Sequence, residues 1–203
     1  MPNLYVFDTE TTGLPLYKLP SDDAGQPHLV DIASILYDKH GTKLDSFEAI
    51  IKPDGWVITE HNAAIHGITH EHAMDVGISE AEAIEGFMAI HMKAGLRVAH
   101  NCQFDDRIIR IALKRYVSDM AADLYKMTPS YCTMRNSKAL VKAPPTEKQV
   151  KAGFKAFKNP NLAEAYKFFT GEDLVGAHRA MADSLGCSTI YFALQALGIT
   201  DDQ

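Results

Sequence analysis

Leu4-Tyr5-Val6-Phe7-Asp8-Thr9-Glu10-Thr11-Thr12-Gly13 is the stretch that decides the reading of this chain. A short apolar run that stops at a polar residue reads as a buried strand. Side chains two apart on a strand share a face, so Asp8 and Glu10 project together at its end. Paired carboxylates repel each other and are costly to desolvate unless something positive sits between them. Oxygen-only ligands suit a hard ion such as Mg²⁺ or Mn²⁺. The competing explanation is a turn whose polar residues merely cap backbone.

Working outward, Pro15, Pro20, Gly25 and Pro27 punctuate a loop up to His28. Residues 29–37 and 46–51 are β-rich and joined through His40-Gly41, which predicts antiparallel neighbours. Ser79 followed by Glu82 has capping-box spacing, and opens a helix carrying Ala83, Ile84, Phe87, Ile90 and His91 that ends near Gly95. Residues 96–99 read as a short strand and 104–116 as a helix. Asn161 opens a helix that stops at Gly171, and a long helix over 179–197 has Gly198 at its end. Strands first, then alternating helices and strands, predict an α/β fold: a mixed sheet with helices packed on it.

Two further aspartates stand on apolar helix faces. Asp105 shares its stripe with Ile108, Ile109, Ala112, Leu113 and Tyr116, whereas Asp106, Arg107, Arg110 and Lys114 fall off it and read as solvated. A carboxylate near a helix N-terminus suits the dipole. One on the buried side also wants a cation or several donors. Asp183 has Ala180, Gly186, Cys187, Ile190 and Leu194 as helical neighbours, and a buried ion pair to Arg179 is its structural alternative. His178 precedes Asp183 by five residues, so on one helix they would diverge by about 140°. To face one site, His178 must sit in a loop or first turn, which Gly176 permits; an exposed loop histidine is the bland alternative.

Three motifs taken together, Asp8-x-Glu10-Thr-Thr-Gly, His100-Asn101-x-x-Phe104-Asp105 and His178-x-x-x-x-Asp183, resemble the DnaQ-like (DEDDh) 3′→5′ exonuclease family. That family includes the proofreading exonuclease subunit of the bacterial replicative DNA polymerase. Ile65-His66-Gly67-Ile68-Thr69 is similar to its His-Gly-Ile segment, and the resemblance covers nearly the whole chain. It implies an RNase H-like mixed five-stranded sheet flanked by helices, forming a single exonuclease domain over residues 1–203. It also implies two divalent cations, Mg²⁺ or Mn²⁺, held by Asp8, Glu10, Asp105 and Asp183, with Asp8 bridging them and His178 as general base. Thr11, Thr12, Gly13, Leu14, His66, Asn101 and Phe104 would meet the terminal nucleotide. The implied partner is DNA, as single strands or 3′ ends, with RNA as the alternative substrate and a polymerase as a further partner. A non-catalytic nucleic-acid-binding subunit is the reading from another class, and clustered repelling carboxylates argue against it. Asp31 stands where the family more often has glutamate.

Bulk properties bound these expectations. The formal charge of −6 argues against a protein held to nucleic acid by overall charge, though not against a local basic groove. Cys102, Cys132 and Cys187 do not read as a disulfide framework, and no signal peptide or membrane-spanning run is visible, so a cytoplasmic location is expected. His61, His66, His70 and His72 crowd one segment without the cysteines or repeated spacing of a zinc site. Lys138, Lys142, Lys148, Lys151, Lys155 and Lys158, opposed only by Glu147, read either as a backbone-binding strip or as a solvated loop.

Overall fold

The computed structural model describes residues 3–200. Five strands, β1 (Leu4–Thr11), β2 (Leu29–Tyr37), β3 (Lys43–Ile50), β4 (Leu96–Ala99) and β5 (Ser130–Cys132), form one sheet in the order β3-β2-β1-β4-β5. β2 lies antiparallel to both β1 and β3, while β4 and β5 continue the sheet in parallel with β1. This is the mixed five-stranded, RNase H-like arrangement, with helices on both faces.

The helices are α1 (Glu60–His66), α2 (His70–Val76), α3 (Glu80–His91), α4 (Cys102–Tyr116), α5 (Asp119–Met127), α6 (Thr133–Val141), α7 (Glu147–Lys151), α8 (Leu162–Thr170) and α9 (Ala180–Ala196). Strand alternation sorts them. Tyr5 and Phe7 of β1 join the core made with α3, α4 and α5. Leu4 and Val6 join the core made with α8 and α9. The same alternation carries Asp8 and Glu10 toward α9, and Thr9 toward α4. β2 is buried along its whole length, as expected of a strand covered on both faces.

Several boundaries differ from the sequence reading. β1 runs on through Asp8 and Glu10 to Thr11, with a register shift at Glu10/Thr11, because β2 supplies ladder partners that far. β3 begins at Lys43, and α3 stops at His91. The Ser79–Glu82 capping box is present, as is one formed by Asn161 and Glu164 at α8. No helix among the described residues is long and apolar enough to cross a membrane.

Candidate active site

Glu10, His178 and Asp183 each offer a ligand atom, and these atoms lie within 4.8 Å of one another. Glu10 comes from β1 and Asp183 from the first turn of α9, whose N-cap is Arg179. His178 thus precedes the helix, exposed and with a left-handed backbone, φ 66°. Its backbone N–H donates to Asp183 Oδ2 at 3.1 Å. Gly176, two residues earlier at φ 75°, supplies the other left-handed turn of this loop at no steric cost.

Asp31 of β2 organises the same corner. Its Oδ2 accepts from Arg179 Nε at 2.9 Å and from the Ala180 backbone N–H at 3.2 Å, so it caps α9 from across the sheet. Arg179 also approaches Glu48 at 3.8 Å. The Arg179–Asp183 pair weighed as the alternative for Asp183 is therefore absent; the guanidinium is drawn to Asp31, which faces Glu10 in the β1–β2 register.

Asp105 reaches the cluster from the opposite face of β1. The backbone N–H and hydroxyl of Thr9 donate to its Oδ1 at 3.1 and 2.8 Å. Burial pushes the Asp105 carboxyl well up, against the opposing effect of the Thr9 hydrogen bonds. Asp8 is pushed well up by burial, and then by Asp105, Asp183, Glu10 and Asp31. Burial, Asp183 and Asp31 raise Glu10 to about 7, with Arg179 opposing. Asp183 is raised by burial, although the His178 N–H holds it down. Every one of these shifts disfavours the charged form, as burial and the crowding of like charges require.

The donor set fits hard divalent cations. Glu10 and Asp183 offer carboxylate oxygens within 4.8 Å of each other, and Asp183 Oδ1 is buried without a hydrogen-bond partner. A cation would satisfy that oxygen and relieve the mutual repulsion together.

The residues expected to contact the nucleotide differ in exposure. Thr11 is buried, its hydroxyl donating to Gly13 O at 2.7 Å, and the Thr12 hydroxyl accepts from His28 N–H at 3.0 Å. Leu14 is 77% exposed and free to meet a ligand. Phe104 is half-buried against the core. Asn101, exposed at φ 77°, turns the chain from β4 into α4. His66 is buried at the end of α1, its Nδ1 accepting from Ile68 N–H at 3.2 Å while Nε2 has no partner. Electrostatic influence from Asp31, Arg179 and His178 reaches it. His100 behaves differently: Thr133 and Pro160 O engage its two nitrogens, and burial lowers it to about 4. It ties loops together.

Two sequence readings are corrected. Asp106 is half-buried and paired rather than freely solvated; it accepts from Arg97 at 2.6 Å and from Tyr125 at 2.8 Å. Lys158 is not opposed by Glu147 alone, since it pairs with Glu164. Asp31, noted in the sequence only as standing where the family more often has glutamate, is a member of the site. No local pattern gives that role, because its partner Arg179 lies 148 residues away.

The sequence matches the family model described as Exonuclease (RNase_T) over residues 5–191. The chain belongs to that family, and membership implies divalent metal ions. No curated protein sequence matches. Among solved structures, exonuclease I aligns with a TM-score of 0.72 at 19% identity, covering 97% of this chain and 41% of that one. E. coli exonuclease I in complex with a dT13 oligonucleotide gives 0.72 at 18%, covering 96% and 41%. The zinc-bound form of its single-stranded DNA complex gives 0.69 at 16%, covering 97% and 41%. At these identities the likeness is one of fold, and the chain spans 41% of the length of these exonucleases.

Proposed function

We propose that this chain is a 3′→5′ exodeoxyribonuclease that releases nucleoside monophosphates by hydrolysis. Asp8, Glu10, Asp105 and Asp183 hold two divalent cations, Mg²⁺ or Mn²⁺, and His178 is the general base. One observation carries the reading: acids from β1, α4 and α9 converge on one corner, with ligand atoms of Glu10, His178 and Asp183 within 4.8 Å of one another and Asp183 Oδ1 buried without a hydrogen-bond partner. A fold maintains such a cluster where positive charge is to be bound. When bound, the cations supply charge stabilisation to the reacting phosphate and make water a better nucleophile.

The chain's own residues supply the rest. His178, exposed beside Asp183 and Glu10, takes the proton of the attacking water on an imidazole nitrogen. Asp183 anchors the backbone of that histidine, and Asp31 anchors the helix start behind it. Thr11, Thr12, Gly13 and Leu14 form one wall for the terminal nucleotide, with His66, Asn101 and Phe104 around it. The exposed part of Phe104 offers a stacking surface that accepts any base.

DNA is favoured over RNA because the exonuclease I structures that share the fold contain dT13 and dA16 oligonucleotides. RNA hydrolysis on the same scaffold is the alternative, decided by how the pocket treats the 2′-OH. We read the chain as one exonuclease domain working in the cytoplasm; a polymerase beside it would add a partner and no new chemistry.

The test uses 5′-labelled single-stranded DNA and RNA oligomers with free or blocked 3′ ends. DNA with a free 3′ end should shorten stepwise, and a blocked 3′ end should resist. Cleavage of a circular single strand would contradict the reading, and faster loss of RNA than DNA would favour the alternative.

A further inference from the structure

α4 gives Asp105 to the catalytic cluster, and its next residues turn elsewhere. Asp106 is spent on Arg97 and Tyr125. Arg107 and Arg110, three apart and therefore neighbours on the helix surface, line a cavity of about 290 Å³ with Lys126 of α5. Arg97 lies in the same wall, so four cations meet one carboxylate, Asp106, already paired with Arg97 at 2.6 Å. Asp123 is 73% exposed and comes no nearer to Arg110 than 3.9 Å. Arg107 Nη2 donates to a carbonyl, Leu19 O. The Nε atoms of both Arg107 and Arg110 are enclosed and have no hydrogen-bond partner. Guanidinium and ammonium groups gathered around one cavity with a single, already paired carboxylate are matched by an anion with several oxygens, and phosphate fits the arginine fork.

The cavity's position gives this anion an identity. Tyr17, from the loop between β1 and β2, closes one side. That loop is pinned by the Gln26 amide, which donates to Leu16 O and Pro20 O. Burial, then Asp105, pushes the Tyr17 hydroxyl up while Arg107 pulls it down, so both charges are within electrostatic reach of one phenol. Gln103 and Asp106 also line a second cavity of about 290 Å³, which extends to Asn101 and Asn159. The two cavities share Gln103 and Asp106 in the first turns of α4, and the second is also lined by Asn101, one of the proposed nucleotide contacts.

We propose that the Arg107–Arg110–Lys126 pocket binds backbone phosphates of the strand being degraded, away from the reacting phosphate. The inference rests on the nuclease reading above and specifies where the rest of the substrate lies.

The test compares a long single-stranded DNA oligomer with a dinucleotide, in wild type, R107Q/R110Q and the charge-keeping R107K/R110K. Losing two phosphate contacts should lower the log–log salt slope of KM by roughly 1.4 for a single strand. R107Q/R110Q should raise KM for the oligomer severalfold at moderate salt with kcat unchanged, and its kinetics on the dinucleotide should match wild type. R107K/R110K should keep most of the slope. An unchanged KM and slope for R107Q/R110Q on the oligomer would overturn the proposal. So would an equal loss on the dinucleotide, which would place these arginines at the reacting phosphate or in the stability of the fold. If wild type degrades neither substrate, the nuclease reading fails by itself. Filter binding of the same oligomer then decides the pocket: wild-type retention that weakens in R107Q/R110Q supports it, and equal retention by both overturns it.

Discussion

Across α4 the molecule changes sign. On the β1 side Asp105 joins Asp8, Glu10 and Asp183 in a cluster whose members are all driven toward protonation. On the α5 side Arg107, Arg110 and Lys126 share a cavity with one carboxylate, already paired. The first region needs cations to be stable when ionised; the second needs anions. A chain of formal charge −6 would still carry −2 after binding two divalent cations, by adding four, so a polyanion gains little from overall attraction. Separating the two signs across one helix lets each bind its own ligand.

The largest expected effect lies on the acidic side. Asp8→Asn should reduce Mg²⁺-dependent hydrolysis to background while the protein remains folded. It should leave the α5-side pocket's salt-dependent binding of a single strand in place. Near-normal turnover in a folded Asp8→Asn protein would remove the assigned site. His178→Ala comes next. Loss of a general base costs about 10²–10⁴-fold, so kcat should fall on that scale, and the rise of rate with pH expected of the wild type should disappear. An unchanged pH–rate profile would deny His178 the role.

The comparison also has a signature in stability. Glu10 sits at about 7 in the fold, above its ordinary value of 4.5. A raised carboxyl binds its proton more tightly folded than unfolded. Its contribution is therefore full below about 4.5 and is lost as pH rises through about 7. In EDTA, Tm should fall across that window; with Mg²⁺ the fall should shrink, because the cation replaces the proton. A Tm indifferent to Mg²⁺ at neutral pH would show that no cation joins the cluster.

The smallest effect is assigned to the Lys-rich segment. Lys148, Lys151 and Lys155 are exposed on or beside the five-residue helix α7, with Phe154 and Phe157 also exposed among them. Replacing the three lysines with Gln should raise KM modestly and flatten its salt dependence, each lost contact taking about 0.7 from the log–log slope. The change should be smaller than for the arginine pair, which lines one cavity together with Arg97 and Lys126. An unaltered KM at low and moderate salt would leave this segment a solvated loop.

Much of the acidic region was legible in the sequence and little of the basic one. Alternation along β1 put Asp8 and Glu10 on one face, and helical spacing put Asp105 and Asp183 on apolar sides. Both are local signals. The capping-box spacing at Ser79 marked a helix start for the same reason. β5 spans three residues, too few for a period of two to declare itself, and seven-residue helices such as α1 and α2 carry barely two turns of pattern. Asp106 read as solvated because helical spacing reports only the angle around α4; Tyr125 and Arg97, which bury it, come from α5 and β4. The Asp31 cap on α9 likewise exists only once β2 and the helix have met.

The claim on which the rest depends is that the buried carboxylates are a binding site for divalent cations that hydrolysis requires. Titrating the metal-free protein with Mn²⁺ while recording bound metal, released protons and degradation of a 5′-labelled single strand tests it directly. Mn²⁺ should bind saturably and release protons near neutral pH, hydrolysis should rise with occupancy, and Asp8→Asn should lose both. Hydrolysis that persists in EDTA, or Mn²⁺ binding unaffected by Asp8→Asn, would contradict it.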